Sequence, residues 1–224
     1  MALGVMLGAL SLRFVASPSN VPADVRRHVR FAGFLGGVVG AYLLQLPADL
    51  FAWSAPAAAG LRPIGGRTVL GGLLGGWIAV EIAKARLGYR GATGDRFALP
   101  VALGLTFGRI GCLLRGCCEG VMLDVPWQVG SALTVERVPV ALIEAYFHAA
   151  ASGWVVLATM RNWIAGRRLA AYLSAYAVVR FSLEFVRGHP RPFAGLTYYQ
   201  LLCVALGLLA GLTWFSRRER RPRV

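Results

Sequence analysis

Three segments of the chain carry residues whose types and spacing suit chemistry. The first holds Tyr176, Arg180, Glu184 and Arg187. Spacings of four, four and three put all of them on one helix face, and the remaining faces are apolar. A charge at mid-membrane costs about 2.5–3.5 kcal/mol on insertion scales, so such residues face a bundle interior or a wet cavity. An Arg180–Glu184 pair that merely locks helices together is the simpler reading, but four polar groups exceed what one lock requires. The second segment runs Phe107-Gly108-Arg109-Ile110-Gly111-Cys112 and continues to Cys117, Cys118 and Gly120. Arg109 sits within apolar sequence, where it can hold a phosphate through two parallel hydrogen bonds or serve as a snorkelling, packing arginine. The crowded glycines here predict a bent or broken helix whose backbone lines a cavity. In the third segment Pro139 opens a helix with Glu144 about one turn in, as a site carboxylate or as an acid favoured by the helix dipole.

The elements that position these residues follow from composition. Hydrophobic residues make up 57% of the 224 and charged residues 15%, against about 45–50% and about 25% in soluble domains. A disordered chain is excluded by that hydrophobicity, and a disulfide scaffold by only four cysteines. The formal charge of +14 sets 23 arginines and one lysine against ten acidic residues. They cluster between apolar runs, as in membrane loops, which argues against nucleic acid as a partner.

Seven apolar runs are predicted as membrane spans, near 2–16, 31–46, 64–83, 97–114, 139–160, 169–187 and 196–215. The expected fold is an all-α integral membrane protein, residues 1–224 forming one embedded domain. The first run is short and contains Arg13. It reads as a truncated or tilted span, because residues 17–20 lack the cleavage site of a signal peptide. Loops 17–30, 84–96, 161–168 and the tail 217–224 hold fifteen Lys/Arg, against six in the alternate loops 47–63, 115–138 and 187–195 when Arg67, just inside the next span, is counted with them. This bias places the N-terminus outside and the basic tail in the cytoplasm. Glycine pairs Gly33/Gly37, Gly36/Gly40, Gly71/Gly75 and Gly72/Gly76 predict close backbone packing between spans. The loop 115–138 has the length of a small β-hairpin or a re-entrant segment.

This topology puts Arg109, Glu144, Arg180, Glu184 and Arg187 in the outer half of the bilayer. No spacing rule joins them, but isolated charges in hydrocarbon are costly, so convergence is expected. Such a cavity suits an anionic head group, and phosphatidylglycerol is one that the outer leaflet of a bacterial inner membrane supplies. Cys112, Cys117 and Cys118 are expected on the oxidising side, as a disulfide, as buried thiols, as a zinc site or as a covalent carrier. No histidine lies near them at metal-site spacing, and no metal or cofactor is expected. Cys203 reads as core. His28, His148 and His189 show no partner pattern, and His189 beside Pro190 is the one worth mutating.

These residues resemble the prolipoprotein diacylglyceryl transferase family. Gly108-Arg109-Ile110-Gly111 is similar to the start of its signature. Tyr176-x3-Arg180-Phe181-x2-Glu184-Phe185-x-Arg187 matches its sixth-span pattern, and Gly71-Gly72-Leu73-Leu74-Gly75 resembles its third span. Pro139 with Glu144-Ala145 is a weaker match. Departures are Leu70 at a family histidine, Cys112 at an asparagine, Tyr42 at an arginine, and Ala141 and Ile143 at a glutamine and a tyrosine. The resemblance implies transfer of a diacylglyceryl group from phosphatidylglycerol to the lipobox cysteine of a prolipoprotein. It implies Arg109, Arg180 and Glu184 as catalytic residues, and Gly108, Gly111, Glu144, Tyr176 and Arg187 as substrate-binding ones. A related membrane transferase with another donor or acceptor, a small-anion transporter and a structural membrane subunit are the alternatives. A transporter should show paired inverted halves, and the sequence shows none.

Overall fold

The computed structural model describes residues 21–53, 66–118, 120–129 and 133–216. The predicted first span, most of the loop 47–63 and the tail 217–224 lie outside the described residues. Seven α-helices and one hairpin account for nearly all of what is described: α1 Ala23–Leu43, α2 Leu46–Trp53, α3 Val69–Arg86, α4 Asp95–Leu114, β1 Met122–Val129, β2 Leu133–Arg137, α5 Val140–Met160, α6 Arg168–Leu183 and α7 Tyr198–Ser216. A short 3-10 turn, Glu184–Val186, extends α6. Five helical segments are long and apolar enough to cross a bilayer: Ala23–Leu50, Asp95–Leu114, Val140–Met160, Arg168–Val186 and Tyr198–Phe215. Helix α3, with 18 residues, is near the lower length limit and carries Glu81, Lys84 and Arg86 at its end. Large apolar side chains such as Phe31, Phe34, Leu50, Val178 and Leu212 are well exposed. Exposure on that scale fits lipid rather than water. The chain is therefore a mostly helical protein of membrane type.

Contacts divide the described chain into two compact units. One comprises residues 93–189 and 207–216, the other residues 21–92 and 190–206, so α7 begins in one and ends in the other. In the second unit α1 and α3 cross through the predicted glycine faces. A Cβ at Gly75 would lie 2.7 Å from the Gly40 Cα, and one at Gly40 would lie 2.8 Å from the Gly75 Cα. Only glycine permits that approach. Leu70, Leu74, Trp77 and Val80 form the adjoining apolar core. Gln45 ties the helices at one end, donating to Asp49 Oδ1 at 2.8 Å and to the Tyr199 hydroxyl at 3.0 Å. Thr197 and Gln200 close a capping box at the start of α7, each side chain accepting from the other's backbone N–H.

The first unit is built on α4, α5 and α6. Ala98 and Ala102 of α4 and Val140, Val155 and Ala158 of α5 are fully or almost fully buried, small enough to bring these helices close. Asp95 accepts hydrogen bonds from the backbone N–H groups of Gly166 and Arg168. It thereby satisfies donors at the start of α6 that no helical carbonyl reaches.

Two expectations are corrected. Helix α4 is not broken near Arg109: it runs unbroken from Asp95 to Leu114. Glycine weakens a helix without opening its hydrogen-bond ladder, and the reversal comes later, at Gly116 (φ 61°) and Cys118 (φ 66°). The second predicted span begins earlier than expected, at Ala23 behind Pro22. Arginine is a good helix former, so the basic residues Arg26, Arg27 and Arg30 lie on the helix rather than in a loop. The segment after the cysteines forms an antiparallel hairpin, Met122 pairing with Arg137 and Val129 with Leu133, with a register irregularity between Met122 and Trp127.

Candidate functional site

Glu144 is the centre of a buried ionic cluster in the first unit. Its side chain is fully enclosed, and Arg109, Arg180 and Arg187 approach it from three segments. Helix α4 presents Arg109, whose Nη2 donates to Glu144 Oε1 at 2.9 Å. Helix α6 presents Tyr176 and Arg180. The Tyr176 hydroxyl donates to the same oxygen at 3.1 Å, and Arg180 Nε lies 3.6 Å from it. Arg187, just past the 3-10 turn, places Nη1 4.0 Å from Glu144 Oε2. Arg180 also reaches back through Nη1 to Glu184 Oε2, one helical turn away. The other Glu184 oxygen meets His189 Nδ1. Arg109, Arg180 and Arg187 are each less than a tenth exposed, and Tyr176 and Glu184 are fully buried.

The charge balance of this cluster governs its chemistry. Among the described residues, three guanidiniums and two carboxylates make up the cluster's Arg and Glu side chains, so arginine is in excess. A buried surplus charge is expensive unless a counter-ion completes it. A phosphate-type anion meets that need, because guanidinium forks bind its oxygens in pairs.

The sequence-predicted residues Arg109, Glu144, Tyr176, Arg180, Glu184 and Arg187 are thus brought together. Gly108 and Gly111 flank Arg109 on α4 and are half-buried. A Cβ at Gly108 would meet nothing within 4 Å, so the surface beside Arg109 is open there. Leu70, at the family histidine position, is buried in α3 of the second unit. Tyr42 lies under the Arg67 guanidinium at 5.2 Å.

His148 and Tyr172 belong to the cluster's surroundings and were not singled out from sequence. His148 is fully buried one turn after Glu144. Its Nδ1 is 2.8 Å from the Tyr172 hydroxyl, and its ring lies 4.6 Å from that of Tyr176. Phe147 stacks on both tyrosines. The signal was the four-residue step from Glu144 to His148, matched by that from Tyr172 to Tyr176.

A second group adjoins the site in sequence. Cys112 lies one turn beyond Arg109 on α4, and Cys117 and Cys118 follow in the turn. All three are half-buried free thiols, with sulfurs within 4.8 Å of one another. The Cys117 thiol is pushed up to about 11 by partial burial, reinforced by Cys118 and Cys112. Beyond them the chain passes close to the site. Gly120 N–H bonds Val138 O at 2.9 Å, and Val121 N–H bonds Val186 O at 2.8 Å. A Cβ at Gly120 would lie 2.8 Å from Val186 O, so glycine is what allows this strand to dock beside Glu184.

Residues 1–216 match the family described as prolipoprotein diacylglyceryl transferase. Similar curated proteins carry the name phosphatidylglycerol–prolipoprotein diacylglyceryl transferase. The one from Methylococcus capsulatus is 33% identical, over 91% of this chain and 83% of its own length. The one from Nitratidesulfovibrio vulgaris is 33% identical over 88% and 79%, and the one from Clostridium tetani is 26% identical over 85% and 79%.

Proposed function

The chain belongs to the prolipoprotein diacylglyceryl transferase family, and from that premise we propose that it is a membrane transferase that moves a diacylglyceryl group from phosphatidylglycerol to a cysteine thiol of a lipoprotein precursor. The observation that carries this reading is the convergence of three buried arginines on Glu144. The phosphodiester of the lipid is the anion that completes it. Arg109 and Arg180 grip the phosphate, while Tyr176, Arg187 and Glu144 hold the guanidiniums in register. Both Glu184 oxygens are engaged, by Arg180 and His189, so its role is to orient Arg180. The open surface at Gly108, with Gly111 beside it on α4, receives the glyceryl part of the lipid.

In the reaction a thiolate attacks the glycerol carbon bonded to phosphate. A sulfur–carbon bond forms, the carbon–oxygen bond to phosphorus breaks, and glycerol phosphate leaves with the electron pair. The leaving phosphate gains charge, and each preoriented donor aimed at such charge is worth about a hundred- to a thousandfold in rate. Seven spans, an outer N-terminus, a cytoplasmic tail and residence in the bacterial inner membrane belong to the same reading. The Lys/Arg asymmetry of the loops supports them.

The test is direct. Purified protein is incubated with phosphatidylglycerol and a lipobox peptide. Release of glycerol phosphate together with a diacylglyceryl mass gain on the peptide cysteine is expected. Neither product, under conditions where a family member works, overturns the assignment.

A further inference from the structure

We propose that Cys112, Cys117 and Cys118 supply three thiolate ligands to a binding site for a soft divalent metal ion, zinc by preference. This inference rests on the cysteine geometry and stands apart from the transfer reaction. The spacing alone, one cysteine and then an adjacent pair five residues on, matches no zinc motif and led to an expectation of no metal. The turn after α4 changes that, because it folds the pair back onto the helix end.

The sulfurs lie within 4.8 Å of one another. Tetrahedral zinc with Zn–S bonds of about 2.3 Å sets its sulfurs about 3.8 Å apart. Closing the group by about 1 Å, within reach of side-chain rotation, therefore assembles three ligands. A disulfide fits less well. It needs sulfurs about 2.05 Å apart and Cα atoms about 4.4–6.8 Å apart. Cys117 and Cys118 are adjacent, with Cα atoms about 3.8 Å apart across a trans peptide, so they are poor partners for each other. A disulfide from Cys112 to either one leaves the third thiol unused. Only a shared ion uses all three.

The backbone is shaped to hold this arrangement. Cys117 N–H bonds Cys112 O at 3.1 Å, and the Cys117 thiol donates to the same carbonyl at 3.4 Å. Gly116 and Cys118 both adopt positive φ. For a cysteine that conformation costs on the order of 1 kcal/mol, and such costs gather where function holds the chain in place. Thiolates select zinc over harder cations. Among the described residues the group contains no fourth protein donor.

The full chain is purified in detergent under reductant, freed of metal, and titrated anaerobically with cobalt(II). One cobalt per chain is expected, with thiolate-to-cobalt absorption in the near ultraviolet that zinc abolishes. Cys112→Ser, Cys117→Ser and Cys118→Ser should each weaken binding by more than about tenfold, the lower bound for loss of even a second-shell partner. Cys203→Ser, the fourth cysteine and not one of the group, should bind like the parent. Circular dichroism of each variant verifies the fold, and where a single variant unfolds, protection of the three thiols from alkylation by zinc in the parent gives the same answer. Absence of the charge-transfer band in parent protein carrying four titratable thiols overturns the site. So does a thiol count showing that two of the three are already joined, or equal binding in all the serine variants.

Discussion

Replacing Glu144 by Gln removes one negative charge from the centre of the cluster while keeping its size and most of its hydrogen-bonding shape. The parent carboxylate accepts from Arg109 and Tyr176 at 2.9 and 3.1 Å, with Arg180 and Arg187 at 3.6 and 4.0 Å. The variant confronts three guanidiniums with one remaining carboxylate, in a region less than a tenth exposed. Breaking a buried ion pair by removing one partner costs about 3–5 kcal/mol. At about 2–4 °C per kcal/mol for a chain of this length, the thermal midpoint should fall by roughly 6–20 °C. The assay is thermal unfolding in detergent, followed by circular dichroism, for the parent, Glu144→Gln, Arg109→Gln and the double variant. The double variant should be less destabilised than the two singles combined, with a coupling of about 0.5–3 kcal/mol. A Glu144→Gln midpoint within about 1 °C of the parent, with no coupling to Arg109, would refute the claim that this carboxylate holds the arginines.

Other outcomes follow from the same geometry. Arg180→Ala should lower diacylglyceryl transfer at least about a hundredfold while the protein stays folded; retained activity in the lipobox-peptide assay would remove Arg180 from its role. Gly75→Val should destabilise the second unit by about 1–3 kcal/mol or more, because its Cβ would lie 2.7 Å from the Gly40 Cα; an unchanged unfolding midpoint would contradict the close crossing. In metal-free protein the Cys117 thiol is pushed up to about 11, so it is protonated at neutral pH. Its alkylation rate should climb about tenfold per pH unit from pH 8 to 10 and level only near pH 11. Levelling near 8.5, the ordinary thiol value, would show that burial and its cysteine neighbours do not act on it.

Much of the site was legible along single helices and little of it between them. The Tyr176–Arg180–Glu184 stripe follows from the helical repeat alone, because residues three and four apart share a face. That Arg109 and Glu144 meet this stripe depends on how α4, α5 and α6 pack, which no spacing encodes. The cost of lone charges in lipid argued for convergence without naming partners. In the sequence His148 shows no partner pattern. Its four-residue step from Glu144 gains meaning only once Tyr176 is seen against its ring. Glycine pairs identified which faces of α1 and α3 would be close-packed, though not that Gly40 would meet Gly75. The glycines around Arg109 misled in the other direction, since they sit inside an unbroken helix. The sequence groups the three cysteines but leaves disulfide, thiols, zinc and carrier open, because the turn that gathers their sulfurs depends on positive φ at Gly116 and Cys118.

Catalysis at this site requires an anion seated among Arg109, Arg180 and Arg187. An experimental structure of the protein in a phosphatidylglycerol bilayer would locate the head-group phosphorus. The prediction is a phosphate with its oxygens within hydrogen-bonding distance of Arg109 and Arg180. A well-ordered lipid whose phosphate lies elsewhere, with the three guanidiniums still closed on Glu144 alone, would contradict it.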